Sequence, residues 1–389
     1  MTNAILRIIE IIAAGGVVSS SLYSLLCLWS AAKFLRAHES GVHSGESFLP
    51  PVSVLKPLKG IDPEMYESLR SQCLQDYPFH EVIFGVSDPD DAAIEVVKKM
   101  MGEFPPGRIL WKVCPEILGA NVKVSNLAQM LDLASCEYLI VNDSDIRVEQ
   151  DYLRRVIAGL ADSRVGMVTC LYRGVAGDTL GSQLEALGIS TDFCSGVLAA
   201  QELEGGIRFG LGSTLAFRRA DLKKIGGLES ILDYLADDYE LGKRIAEIGL
   251  EVRLSDVVVE TFLPSYGLSD FLRHQLRWAR GVRDARAGGY FGLVFTFGIF
   301  WALVALAASR GALWSWGALA LALVLRFAVG FTVGGKVLRD RQVGKYFWLI
   351  PLRDLIQVGV WVASFARHTV IWRGQKFELK NGKLIRIAR

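Results

Sequence analysis

Between Glu10 and Lys33 the chain carries no charged side chain. A helix of about 20 apolar residues is long enough to cross a bilayer, so this run decides more than any other what the chain can become. Ile11 to Ala32 lies within a segment, 8–33, that reads as an N-terminal transmembrane anchor. Lys33 and Arg36 come directly after the run, whereas Arg7 stands alone before it, next to Glu10. That asymmetry predicts that the chain beyond the anchor faces the cytoplasm. The competing reading is a secretory leader cleaved near Ser30-Ala31-Ala32, but the basic region that should precede the apolar core is weak.

The other end of the chain is apolar too. Segments 287–309, 311–335 and 346–366 are each long enough to be membrane segments. The second carries Arg326, and the third carries Arg353 and Asp354 in its middle. Charge inside a membrane is expensive, so the third segment reads as re-entrant or interfacial. A basic tail, 368–389, then lies on the cytoplasmic side. These ends account for a mean hydropathy of +0.31. The net charge of +2 offers no basic stripe of the kind a nucleic-acid binder needs. Six cysteines occur without a CxxC pair, and the five histidines form no HxxxH or HExxH. Buried, reduced thiols are expected, with neither a disulfide framework nor a zinc site.

Between the ends, 50–285 has the texture of a soluble α/β domain. Short apolar runs at 52–55, 81–86, 108–113, 138–141 and 166–172 alternate with amphipathic stretches such as Pro63–Leu74 and Ala92–Phe104. This alternation predicts a mostly parallel sheet with helices on both faces. Ligands bind such sheets beyond the carboxyl ends of the strands. Asp88 and the pair Asp143 and Asp145 fall at two such ends. Two carboxylates there suit a divalent cation on a diphosphate, because phosphate oxygens and water complete its shell. As plain structure they are solvated turn residues; Asp90 and Asp91, after Asp88, read as turn and helix-start residues. Asp237-Asp238 precedes a helical pattern, where negative charge is stabilised. That is ordinary capping, or a general base whose pKa is split from its neighbour's. The stretch His274–Arg283 combines Trp278 with Arg273, Arg277, Arg280 and Arg283 at helical spacing. Such a face binds phosphates, and it equally suits an interfacial helix among lipid headgroups.

Taken in order, VSVLKPLKG (52–60), GANVKVSNL (119–127), VNDSDIRV (141–148), GLGSTLAFRR (210–219), LADDYELG (235–242) and HQLRWARG (274–281) resemble the ceramide glucosyltransferase family. That family includes bacterial relatives among the hopanoid-biosynthesis glycosyltransferases. The resemblance runs from about Pro51 to Gly281 and on through VIWRGQKFEL. It implies a GT-A fold, a Rossmann-like nucleotide-diphospho-sugar transferase domain, with one N-terminal and about three C-terminal membrane segments. It implies a UDP-sugar donor and a membrane lipid acceptor at the bilayer, with the catalytic domain in the cytoplasm of a bacterial inner membrane. By the resemblance, Asp88 holds the uracil or ribose, and Asp143 and Asp145 hold Mg²⁺ or Mn²⁺. Lys56, Asn121 and Lys123 are further donor contacts. Asp238 is the base, and Arg277 and Trp278 act near the leaving diphosphate. Asp237, His274, Gln275 and Arg280 are acceptor or diphosphate candidates. His274 occupies the first position of a Gln/Arg-x-x-Arg-Trp element, a departure from the pattern. Glucose moved to a lipid such as ceramide is the expected reaction. The alternatives are transfer of N-acetylglucosamine to a hopanoid-type lipid, a processive polysaccharide synthase, and a non-catalytic nucleotide-sugar receptor.

Overall fold

The computed structural model describes residues 2–39, 47–372 and 374–387. The chain divides into two compact units. One comprises residues 40–177, 204–264 and 382–389; the other comprises 1–39, 178–203 and 265–381. The stretch 50–285, expected as one domain, is shared between the two units. Two of its stretches, 178–203 and 265–285, belong with the apolar helices. Composition hides this, because both stretches are amphipathic and only their packing partners decide where they belong.

The first unit is built on an eight-stranded sheet. In chain order its strands are β1 (Val52–Pro57), β2 (His80–Val86), β3 (Ile109–Val113), β4 (Tyr138–Val141), β5 (Ile146–Arg147), β6 (Val165–Val175), β7 (Leu215–Arg218) and β8 (Glu251–Phe262). Their order across the sheet is β3-β2-β1-β4-β7-β6-β8-β5. β3, β2, β1 and β4 are parallel, as the alternating pattern predicts. β7 runs antiparallel to β4 and β6, and β5 antiparallel to β8, so the sheet is mixed rather than mostly parallel. β1 is buried along its whole length because it is flanked on both sides. β1 and β4 form the point where strand order reverses, and the crevice beyond their carboxyl ends is where such sheets take ligands.

The second unit is helical. Two helices are long and apolar enough to cross a membrane, Ala4–Ala37 and Leu313–Val337. A bent pair, Ala287–Thr296 with Gly298–Ala308, turns by 53° at Phe297 and counts as a third only if it is one broken span. The expected three C-terminal segments are thus reduced. Segment 346–366 breaks into short turns and a helix, Ile350–Ser364, that does not qualify. Its Arg353 and Asp354 find partners in other segments of the unit instead. Small side chains, Ala302 and Ala322 against Val17, bring the three apolar helices together with Trp301 packed beside them, the close approach that membrane helices favour. The basic tail contains structure: Thr369–Trp372 pairs antiparallel with Gln375–Lys380, and Lys383–Arg386 is a further strand. All six cysteines are buried, and none is in a disulfide.

Candidate active site

β4 ends at Val141 and the chain turns immediately beside β1, with the Asn142 amide bonded to the Leu55 carbonyl (3.3 Å). Asn142 is fully buried and donates to the Ser213 carbonyl (2.6 Å), the Tyr152 hydroxyl (3.0 Å) and Thr214 Oγ1 (3.3 Å). It ties the turn of Asp143 and Asp145 to the loop before β7. Within that loop, the Gly212 carbonyl accepts from the Asp143 amide (3.3 Å), and the Gly212 amide donates to Asp238 Oδ2 (2.8 Å). A Cβ on Gly212 would lie 2.8 Å from Asp143 Oδ2 and 3.4 Å from Asp238 Oδ2. The two carboxylates therefore share one glycine as their floor.

The helix Asp237–Glu247 supplies the second of them. It begins at Asp237, so both carboxylates of the pair sit in its first turn, where unpaired amides favour negative charge. Asp238 Oδ1 accepts from the Tyr239 amide (2.8 Å). The helix approaches the loop backbone to backbone at Gly242, where a Cβ would lie 2.3 Å from the Gly210 nitrogen. Burial, and then the neighbouring Asp237, push the Asp238 carboxyl up to about 6. That is near the range a general base needs at neutral pH.

Lys123 braces the cluster. Its ammonium lies 2.7 Å from Asp143 Oδ1 and 2.9 Å from Asp237 Oδ2. Burial works against its charge, but Asp143, Asp237 and Asp238 outweigh burial and hold it protonated far above neutrality. Asp145 stands on the other side of the turn, accepting from the Thr261 hydroxyl of β8 (2.5 Å). Burial and Asp143 push its carboxyl up to about 6. The negative charge of Asp143 beside the Asp145 carboxyl fits a divalent cation, which would relieve that repulsion. Asp143 and Asp145 are the residues that would hold it. Among the described residues no group of three or more His, Cys, Asp or Glu side chains is suited to a metal, which leaves the remaining coordination to diphosphate and water.

Three expected donor contacts stand differently. Lys56 is completely buried, and its ammonium donates to the carbonyls of Asp143 (2.8 Å) and Ile146 (3.3 Å). Burial lowers its pKa to about 8, against the pull of Asp145 and Asp143. Asn121, also fully buried, caps the helix Val122–Met130 through the Val124 amide (3.2 Å) and donates to the Tyr234 carbonyl (2.8 Å). In this structure Lys56 shapes the Asp143–Ile146 turn, and Asn121 anchors the helix that carries Lys123. Asp88 is exposed just past β2, with Oδ1 accepting from the Asp90 amide (2.9 Å). Asp91 accepts from the Gly60 amide (2.9 Å) and the Ala93 amide (2.9 Å), the turn and helix-start role expected of it.

The Arg-Trp element lies in the helical unit, on the amphipathic helix Leu268–Ala285. Its arginines do not act as one phosphate-binding face. Arg273 is exposed and pairs with Asp270. Arg280 donates to the Thr369 carbonyl (2.9 Å), and buried Arg283 donates to the carbonyls of Ser364 and Arg367. Those two fasten the chain around 364–369. Gln275 is buried and accepts from Arg353 (2.8 Å). His274 Nδ1 lies 2.7 Å from Glu185 Oε1, and Tyr266 donates to the other oxygen of that carboxylate. The His274 ring leans on Trp278 (centroids 5.2 Å apart), which also meets Phe193 (6.2 Å). Arg277 and Trp278 remain half-buried. Sequence reasoning missed Gly212, Thr261 and Glu185 as site-shaping residues. Gly212 lies inside the GLGSTLAFRR motif, but only its two neighbours in space give it a purpose.

The chain is similar to proteins of known activity. Ceramide glucosyltransferase 3 of Caenorhabditis elegans is 25% identical over 347 residues, which span 87% of this chain and 74% of the relative. The ceramide glucosyltransferase of Komagataella phaffii is 35% identical over 113 residues, 28% of this chain and 22% of the relative. Among solved structures, a mannosyltransferase from Pyrobaculum calidifontis in complex with GDP-Man and Mn²⁺ superposes with a TM-score of 0.58 at 21% identity, covering 92% of this chain and 97% of that one. It shows a shared fold, that of GT-A glycosyltransferases. The family model of glycosyl transferase family 21 matches residues 12–385, so the chain belongs to that family and is a hexosyltransferase.

Proposed function

We propose that the enzyme moves a hexose, glucose first, from a UDP-sugar to a hydroxyl of a membrane lipid such as ceramide, with inversion at the anomeric carbon. Asp238 takes the hydroxyl proton as the acceptor oxygen attacks that carbon. The bond to the diphosphate breaks with its electron pair leaving on UDP. The proton acceptor and the group beside the diphosphate must lie on the same rim of the donor pocket. The observation that carries this reading is the apposition of Asp238 and Asp143 across Gly212, braced by Lys123. A cation at Asp143 and Asp145 supplies charge neutralisation for the departing diphosphate when bound. Arg277 and Trp278 are assigned to the leaving group and acceptor, and Asp88 to the uracil or ribose. The two candidate spans, and relatives named as ceramide glucosyltransferases, support a lipid acceptor. The excess of basic residues after the first span supports a cytoplasmic catalytic unit.

The test is UDP release by the purified full chain. UDP-glucose, UDP-N-acetylglucosamine and UDP-galactose are each offered with ceramide, with a hopanoid polyol and without acceptor. Release with UDP-glucose that depends on ceramide is expected. Release only with UDP-N-acetylglucosamine and the hopanoid would move the assignment to that lipid class. Donor binding without release to any lipid would overturn the reading.

A further inference from the structure

The helix that carries Asp237 and Asp238 starts without a cap of its own. Its N-cap is Ala236, whose side chain accepts nothing, and alanine is among the poorest residues for that position. The first turn of a helix holds amides without intrahelical partners and is where the helix frays. Both carboxylates stand in that turn. Asp238 is tied on one side to the loop before β7: its carbonyl accepts from the Gly210 amide (3.1 Å) and its carboxylate from the Gly212 amide (2.8 Å). On the other side the chain arrives through 232–235, which belongs to no helix or strand. What fixes that approach decides how well the carboxylates are placed.

The hydrogen bonds of 232–235 go to two places, both in the first unit. One is Ala120-Asn121, just before the helix of Lys123. The Leu232 carbonyl accepts from the Asn121 amide (2.7 Å), Asp233 Oδ1 from the Ala120 amide (2.9 Å), and the Tyr234 carbonyl from Asn121 Nδ2 (2.8 Å). The other lies far along the chain, at 382–386. The Leu235 amide donates to the Gly382 carbonyl (3.0 Å), and the Leu384 amide donates to the Asp233 carbonyl (2.7 Å). Tyr234 and Lys383 are thereby bridged antiparallel. A Cβ on Gly382 would lie 3.3 Å from the Tyr234 ring, so the two pack closely. The Lys383 ammonium stands 5.3 Å from the centre of that ring, and the Arg244 guanidinium, from the helix itself, 5.6 Å; both are attracted to its face. Leu384 is buried between exposed neighbours, which seats the strand. The Leu235 bond is thus the last backbone anchor before the uncapped turn of Asp237 and Asp238, and the proposed chemistry gives its partner strand no role.

We propose that the strand Lys383–Arg386 is a positioning element of the active site: it holds 232–235 so that Asp237 meets Lys123 and Asp238 stays in place to take the acceptor proton. This rests on the reading of Asp238 as the base and adds a distant segment that sets its placement. The experiment uses the full chain and compares wild type with Leu384→Asp, which expels the strand from its seat, and Leu384→Met, which keeps an apolar side chain of similar volume. Each is made alone and together with Lys123→Met. The readouts are kcat, donor KM and amide hydrogen exchange. In Leu384→Asp, kcat is expected to fall about tenfold or more, since small displacements of a reacting group are costly, with donor KM held within about twofold. Exchange is expected to quicken at 232–238 while strands β1 and β6 stay protected, and Leu384→Met is expected to restore kcat. In the Lys123→Met background the further loss is expected to shrink to less than about threefold, because both changes act on the placement of Asp237. An equal loss in both backgrounds would make the strand merely structural and overturn the proposal. So would unchanged kcat with quickened exchange at 232–238. If Leu384→Asp loses the protection of β1 and β6, Gly382→Val, whose side chain meets the Tyr234 ring, is read by the same criteria. No turnover by the wild type with any donor and lipid would bring down the proposed function instead, and exchange at 232–238 alone would then decide whether the strand holds the loop.

Discussion

Gly212→Ala tests the core of the site. The added methyl would sit 2.8 Å from Asp143 Oδ2 and 3.4 Å from Asp238 Oδ2. Ordinary contact begins near 3.4 Å, so Asp143 or the loop must retreat by about 0.6 Å. Asp143 is the side that yields, because its carboxylate is partly exposed while the loop is bonded on both flanks. Overpacking of this kind costs about 1–3 kcal/mol, and a partly open site keeps it near the low end. Catalysis should suffer far more. Displacing a reacting group by about 1 Å can cost about 10²-fold in rate, so kcat should fall by roughly that factor while the protein stays folded. Gly242→Ala is the contrasting variant. Its methyl would lie 2.3 Å from a backbone nitrogen that cannot rotate away. It should lower the melting temperature sharply and reduce activity only through loss of folded protein. UDP release and thermal unfolding in the same detergent separate the two. A Gly212→Ala enzyme with wild-type kcat would refute the claim that Asp143 and Asp238 work on opposite sides of this glycine.

Turnover should need ionised Asp238. Its carboxyl is raised to about 6, so kcat should fall roughly tenfold per pH unit below about pH 6, where an ordinary aspartate would hold the rate to about 4. Asp238→Asn should lose about 10²–10⁴ in kcat at all pH values, and near-full turnover with intact folding would remove it as the base. Lys123→Met takes away the cation that lowers the Asp238 pKa, so the acid limb should move to higher pH; an unmoved limb would show that Lys123 does not set the base. A chelator should abolish turnover, and Asp145→Asn should raise the Mn²⁺ concentration needed for half-maximal rate; chelator-resistant turnover would refute the cation assignment. Lys56→Met removes the ammonium from the carbonyls of Asp143 and Ile146, which keep only the longer bonds from the Ile146 amide (3.3 Å) and Gln72 Nε2 (3.5 Å). It should destabilise the folded state by about 1 kcal/mol per lost hydrogen bond, read as a lower urea midpoint.

The sequence by itself determined whatever depends on neighbours along the chain. The charge-free run after Glu10, the strands at 52–55 and 138–141, and the carboxylates immediately past β4 and at the start of the helix Asp237–Glu247 were all legible. Period, span length and strand ends are local properties. The family motifs named the chemistry for the same reason, since each is a short stretch with a fixed local geometry. Tertiary structure decided what depends on contacts between distant residues. Whether a lysine meets a ligand or a carbonyl is set by enclosure, so Lys56 and Lys123, alike in sequence, differ in role. One is sealed under the turn and the other bridges two carboxylates. Arg280 and Arg283 read as phosphate ligands until the chain around 364–369 comes back to use them. The antiparallel β7 and β5 were hidden because strand direction is set by pairing, not by composition. Arg326 and Asp354 looked like isolated charges in apolar segments. Only the fold brings them together, because ion pairing at low dielectric acts between groups in space, whatever their separation along the chain.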